Sequence, residues 1–331
     1  MGQSDRLTEF DLIKTYFAPL AKSEAGAFDL TDDAAVLPLQ PGLELVVTTD
    51  TIVSGVHFLE NTPAEAVAAK LLRVSLSDLA AMGATPRSYT LSLALTDVIS
   101  VDWLTAFSAS LARDQITYGI HLVGGDTVST PGPLTLTLTA MGTVPAGEAL
   151  RRNGAKAGDD VYVSGTIGDG ALGLLVALED LSGLSKNDAD YLLDRFHYPR
   201  SRGKLGERLF GLAHAVADVS DGLAADLGQI CRPSGVSAII QSPLIPLSDP
   251  AKAVLNKDAG YIQQILGGGD DYELVFAAAP SVADKLRTLR DELGIQVTRI
   301  GSVGAKTEED VVIKDGAGEP VLLQQMGFRH F

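Results

Sequence analysis

Apolar residues recur along the chain at two spacings, and the elements follow from which spacing holds where. Leu7, Phe10, Ile13 and Phe17 are helically spaced and predict a short amphipathic helix over residues 5–20. Thr31-Asp32-Asp33-Ala34-Ala35-Val36-Leu37 reads as a paired-acid turn running into a strand. Leu45–Phe58, LVVTTDTIVSGVHF, opens on Leu45–Thr48, an apolar and β-branched run that suits a strand covered on both faces. That strand delivers Thr48, Thr49 and Asp50 at its end, and a glycine turn then carries His57. The clearest helix follows: Thr62 as cap, Pro63 at the first position, Glu65 completing a capping box, and Gly83 as the stop after Met82. Leu71, Val74 or Ser75, Asp78 and Met82 share one face of it. A carboxylate on that apolar side must be paired, hydrogen-bonded or metal-bound, because leaving it bare costs several kcal/mol.

Tyr89–Leu95 predicts a strand, and residues 101–118 a helix capped by Ser100. His121-Leu122-Val123 then leads into Gly124-Gly125-Asp126-Thr127, an acid at a strand end beside glycines. Strict Leu/Thr alternation over 134–144 predicts a strand with one buried face, the Thr face being left for solvent or a partner subunit. A first domain closes there, and the basic turn Arg151-Arg152-Asn153-Gly154 reads as the link, giving domains 1–148 and 149–331. The second domain predicts a strand at Asp160–Ser164, helices near 170–183, 186–196 and 201–213, and then Ala215–Gly222, a strand ending acid, hydroxyl, acid, glycine. A helix through Cys231, a strand near 236–241, the turn Gly267-Gly268-Gly269-Asp270-Asp271, a strand over 272–277 and a helix over 281–293 complete the pattern.

Composition narrows the class. A chain of 331 residues with 34 glycines and many aliphatic side chains is typical of a two-domain α/β enzyme. Its 42 acids against 26 bases give a net charge of −16, which repels nucleic acid and excludes a nucleic-acid binder. The same charge repels nucleotides unless bound cations invert the local field. No apolar run reaches the roughly eighteen residues of a membrane span, the polar N-terminus is no secretory signal, and a single Cys231 fits a reducing cytoplasm.

Several motifs are absent or stand in the wrong context. Gly168-Asp169-Gly170-Ala171-Leu172-Gly173 matches G-x-G-x-x-G, but further helical segments follow where a dinucleotide fold needs a second parallel strand and its acid. Its glycines therefore serve close helix–strand packing. Gly203-Lys204 lacks the rest of a P-loop, the scattered histidines form no zinc spacing, and no Gly-x-Ser-x-Gly elbow occurs. What remains is a recurrence: Asp33, Asp50, Asp78, Asp126, Asp218 and Asp221 each sit in or beside a turn or on an inward helix face. If they converge, divalent cations must offset their repulsion, and several magnesium ions gathered together suit a nucleotide polyphosphate.

The motifs TDDAAVL, TTDTIVSGVHF, VSLSDLAAMGA, GGDT, LRRNGAKAGD, VADVSDGL, GGGDDYEL and GFRHF occur in this order from about Phe10 to Phe331. Together they resemble the thiamine-monophosphate kinase family, of the aminoimidazole ribonucleotide synthetase and selenophosphate synthetase superfamily. The resemblance implies a two-domain α/β (α+β), PurM-like fold. It would have an N-terminal mixed sheet with helices, a C-terminal α/β domain, and the active site between them. It implies ATP-dependent, magnesium-assisted phosphorylation of thiamine monophosphate to thiamine diphosphate, in a cytoplasmic homodimer pairing its N-terminal sheets.

By the same resemblance Asp33, Thr48, Thr49, Asp50, Asp78, Asp126, Asp218 and Asp221 would hold the magnesium ions. Gly125, Asp126, Arg152 and Ser220 would contact ATP, while His57, Asp270 and Phe328 would face thiamine monophosphate. No residue would act as a general base, since the acceptor is already an anionic phosphate oxygen. The chain departs from the family pattern at Thr31 (usually Gly), Thr48 (usually Ser) and Asp270 (usually Glu). Three alternatives stay open: a sibling synthetase, which the missing N-terminal Cys motif disfavours; a nicotinamide oxidoreductase resting on Gly168–Gly173; and a non-catalytic cation-binding protein.

Overall fold

The structure is a computed structural model and describes residues 8–32 and 34–328. The chain divides into two compact units, Met1–Leu79 with Thr85–Ala146, and Ala80–Ala84 with Gly147–Phe331. Among the described residues no helix is long and apolar enough to cross a membrane.

The first unit is built on a four-stranded sheet of order β1-β4-β2-β3, with β1 Leu43–Val53, β2 Thr85–Leu95, β3 His121–Ser129 and β4 Thr135–Pro145. β4 runs antiparallel to both neighbours, while β2 and β3 are parallel, so the sheet is mixed as expected. The Leu/Thr alternation works as predicted, with Leu136, Leu138 and Ala140 fully buried. The Ala64–Ala81 and Val101–Tyr118 helices belong to the same half of the chain. Ser100 caps the second helix, its Oγ accepting from Trp103 N–H at 3.1 Å, and Gly119 ends it at φ 66°.

Four local expectations are corrected. β1 is an edge strand rather than one covered on both faces, and Leu45 and Val47 are 50% and 55% exposed. Residues 34–40 form no strand, because Phe28, Asp29 and Leu30 take positive φ and turn the chain back so that Val36 N–H reaches Gly26 O. β3 continues through Gly124-Gly125-Asp126-Thr127, which therefore lie within a strand and not at its end. Thr62 does not cap its helix: its Oγ1 is buried without a partner among the described residues, and Pro63 O instead accepts from Ala66 and Val67.

The second unit carries a six-stranded sheet of order β10-β7-β9-β5-β8-β6. The strands are β5 Asp160–Ser164, β6 Ala213–Val219, β7 Val236–Gln241, β8 Glu273–Ala278, β9 Val297–Ala305 and β10 Val311–Lys314. Every neighbouring pair is antiparallel except β10 and β7. Strand β8, between β5 and β6, is buried along its whole length, and its side chains feed two cores by alternation. Val275 and Ala277 join Leu172, Leu192, Leu227 and Ile230, whereas Leu274 and Phe276 join Tyr162, Leu205, Leu286 and Leu289.

β5 pairs antiparallel with β8 and β9, so Gly168–Gly173 opens no parallel βαβ unit, and the basis for a nicotinamide site is gone. The glycines serve close approach instead: a Cβ at Gly170 would lie 2.2 Å from Asp270 O, and one at Gly173 2.1 Å from Leu192 O. The helix they open ends at Ala177, shorter than expected, and the helix expected over 201–213 is only Gly203–Gly206.

Candidate functional site

Strand alternation decides which side chains of TTDT can act together. Thr48 and Asp50 pair in register with buried Ala140 and Leu138 and point toward the Ala64–Ala81 helix. There Thr48 Oγ1 donates to Asp78, and Ser75 Oγ donates to Asp50 Oδ2 at 2.6 Å. Burial first, and then the neighbouring Asp78 charge, push the Asp50 carboxyl from 3.8 up to about 6, with the Ser75 bond opposing them. Two half-buried carboxylates backed by two hydroxyls form a hard-oxygen corner whose own repulsion favours a bound cation.

Thr49 faces the other way. Its hydroxyl bonds Thr139 Oγ1 at 2.9 Å on the opposite face of the sheet, so it reaches the Asp50 corner through its main chain only. Asp126 stands in the register row of Ser92, Thr137 and Thr51, and its Oδ1 accepts the N–H of Thr127 at 2.9 Å. Together with Gly125 it lines a pocket walled by Phe17, Leu30, Leu91 and Leu93. Asp33 lies outside the described residues. Among the described residues no three His, Cys, Asp or Glu side chains are gathered as a ready metal-binding group. His57 Nδ1 accepts from Val53 N–H at 3.0 Å, so the neutral ring carries its proton on Nε2.

In the second unit, β6 carries buried Asp218 just before its last residue, Val219, and passes into Ser220 and Asp221, both half-buried. Asp226, on the first turn of the Leu223–Ser234 helix, accepts the N–H groups of Ser220, Asp221 and Gly222 on one oxygen, each at 3.0 Å. Burial outweighs those donors and pushes its carboxyl to about 6. Asp270 and Tyr272 both hold positive φ, 68° and 52°, and Tyr272 Oη donates to Asp270 Oδ1 at 3.0 Å. Phe328 is 45% exposed, and Arg152 stands on an exposed turn whose carbonyl accepts from Ser234 Oγ.

The sequence reading passed over the groups that hold these loops. Asp271, next to Asp270, is buried and accepts from Gly168 N–H at 2.7 Å and Gly170 N–H at 3.0 Å, while burial pushes its carboxyl up to about 8. Glu273 is fully buried under Ser164, Arg195 and a two-pronged Arg202. The signals available were a second acid after Asp270 and arginines at 195 and 202 in an acidic chain.

Family models for the AIR synthase related protein match residues 31–144 (N-terminal domain) and 156–314 (C-terminal domain). The thiamine-monophosphate kinase of Caulobacter vibrioides is 41% identical over 327 residues, 98% of this chain and 91% of the relative. The crystal structure of thiamine-monophosphate kinase from Stenotrophomonas maltophilia K279a shares 42% identity and a TM-score of 0.80, covering 88% of this chain and 91% of that one. AaThiL complexed with AMPPCP and TMP shares 29% identity and a TM-score of 0.77, with 100% of both chains covered.

Proposed function

The chain belongs to the thiamine-monophosphate kinase family, and from that premise we propose that it transfers the γ-phosphoryl group of ATP to the phosphate of thiamine monophosphate, giving thiamine diphosphate and ADP. The observation that carries the reading into this site is the Asp50–Asp78 corner, two carboxylates with a hydroxyl on each, strained by like charge until a cation arrives.

Bound magnesium would supply charge neutralisation on the transferring phosphoryl group. Asp50 and Asp78, with Thr48 and the main chain of Thr49, would be magnesium ligands of the first unit, and Asp218 and Asp221 those of the second. Asp33 and Asp126 would be further ligands, Asp126 standing in the row of Thr137 and Thr51 on the sheet face away from Asp50. Arg152 and Ser220 would contact ATP phosphate oxygens, and Gly125 and Asp126 would be further ATP contacts. His57, Asp270 and Phe328 would face thiamine monophosphate. The attacking group is already an oxyanion, so these side chains orient and shield, and none takes a proton.

The protein with ATP, magnesium and thiamine monophosphate is expected to form ADP and thiamine diphosphate in equal amounts, and EDTA should stop the reaction until magnesium is restored. ADP without thiamine diphosphate would favour a sibling synthetase, and nucleotide binding without turnover a non-catalytic role. A cytoplasmic setting fits the single, buried Cys231.

A homodimer is part of the proposal. The outward face of the first sheet aligns Leu45, Val47, Thr49 and Thr51 with Thr143, Met141, Thr139 and Thr137, an apolar and hydroxyl surface that suits a second copy of itself. Val47→Lys places a charge in that face and should weaken the dimer by about 100-fold or more, read by sedimentation velocity. A Val47→Lys protein with the wild-type sedimentation profile would remove this face from the interface.

A further inference from the structure

Resting on the kinase reading above, we infer that Asp226 is a positioning residue that keeps the Ser220–Asp221 loop and the Asp270 and Phe328 segments in one fixed register. The loop's main chain is used on both sides. Inward, the N–H groups of Ser220, Asp221 and Gly222 converge on the single Oδ2 of Asp226. Outward, the next carbonyls each hold another strand of the site. Val219 O accepts from Tyr272 N–H at 2.8 Å, Ser220 O from Asp270 N–H at 2.9 Å, and Asp221 O from Phe328 N–H at 3.0 Å.

The same short peptide therefore carries the ATP- and magnesium-facing side chains and fastens the residues assigned to the thiamine substrate. Asp226 is 3% exposed, so it acts through the loop and not on a ligand. The contacts leave no slack. A Cβ at Gly269 would lie 2.2 Å from Ser220 O, and one at Gly327 would lie 2.5 Å from the Ala225 Cβ. A carboxylate is needed at 226 because charge-assisted bonds are roughly twice as strong as neutral ones, and one oxygen must hold three donors against the pull of three occupied carbonyls. Any shift of this loop would be passed to the thiamine side through these main-chain hydrogen bonds.

The test is Asp226→Asn, which keeps size and one acceptor oxygen, with steady-state kinetics in both substrates. Binding of thiamine monophosphate is also measured by calorimetry, with and without a non-hydrolysable ATP analogue and magnesium. The expected result is a kcat about 10-fold lower, a KM for thiamine monophosphate raised several-fold, and loss of most of the wild-type effect of the analogue on that binding. Ser185→Ala removes the cap of the Lys186–His197 helix in the same unit and sets the reference for a purely structural loss, with kcat and KM unchanged. Gly269→Ala, which pries the same loops apart without touching Asp226, should reproduce the kinetic pattern and decides the matter if Asp226→Asn fails to fold. Wild-type kcat, KM and analogue effect in a folded Asp226→Asn, or in Gly269→Ala, would overturn the positioning role. No turnover in the wild-type protein would instead overturn the kinase reading beneath it.

Discussion

Asp50→Asn is expected to lower kcat by about 100-fold or more, the scale of removing a group that stabilises charge in the transition state, while leaving the fold intact. The substitution keeps the shape of the side chain and an oxygen for the Ser75 hydroxyl at 2.6 Å. It removes the charge that the proposed magnesium site needs. Activity at saturating ATP and magnesium is the measurement, and turnover within a few-fold of wild type would remove Asp50 from the metal-binding set.

Stability should move in the opposite direction. A carboxyl whose folded pKa is raised from 3.8 to about 6 favours folding only in its neutral form. Wild-type stability is therefore lost as pH rises from about 4 through 6, and above that the penalty is constant at about 3 kcal/mol by the usual conversion. Asparagine carries no such penalty. Without divalent cations Asp50→Asn should melt above wild type, by a margin that widens from pH 5 to pH 7 and then stays level. Magnesium should narrow the margin by binding the wild-type protein alone. A margin that ignores both pH and magnesium would show that Asp50 and Asp78 do not repel each other as their burial implies.

How much of this was legible in the sequence follows the range of the interactions. The β4 alternation, the Ala64–Ala81 helix stopped by Gly83 and the wrong context of Gly168–Gly173 are local patterns, and they led to the two-domain α/β fold that the structure has. The state of β1 was not local. Leu45 and Val47 look the same whether a strand is covered on both faces or open on one, and only their exposure in the fold shows that the outward face is open. The face on which Thr49 lies follows from simple alternation next to Thr48, yet a composition argument treats adjacent hydroxyls alike. Nothing local singles out Asp226, in the first turn of its helix, or Glu273, at the start of β8. Their roles depend on partners brought together by folding, Ser164 and Glu273 being 109 residues apart in the chain.

Glu273 carries the largest stability effect expected in the second unit. Its carboxylate is fully buried at the start of β8, accepting from Ser164 Oγ at 2.6 Å, from Arg195 Nη2 at 3.0 Å and from both prongs of Arg202. Gly165 holds φ 56° directly above it, where any Cβ would fall 2.1 Å from Oε1, so the carboxylate fills space that no other group occupies. Glu273→Gln leaves two guanidinium groups facing a neutral amide, one of them on an arginine only 2% exposed. Breaking one side of a buried ion set typically costs about 3–5 kcal/mol, which for a unit of this size lowers the melting temperature by about 10 °C. Arg195 keeps Asp169 at 3.8 Å, so the cost lies in the weakened neutralisation of the two arginines and not in the lost attraction alone. Arg202→Met added to Glu273→Gln should therefore cost clearly less than the two single effects combined. Additive losses across that cycle would mean that Arg202 does not depend on Glu273 for its place, and that Arg195 alone neutralises the carboxylate.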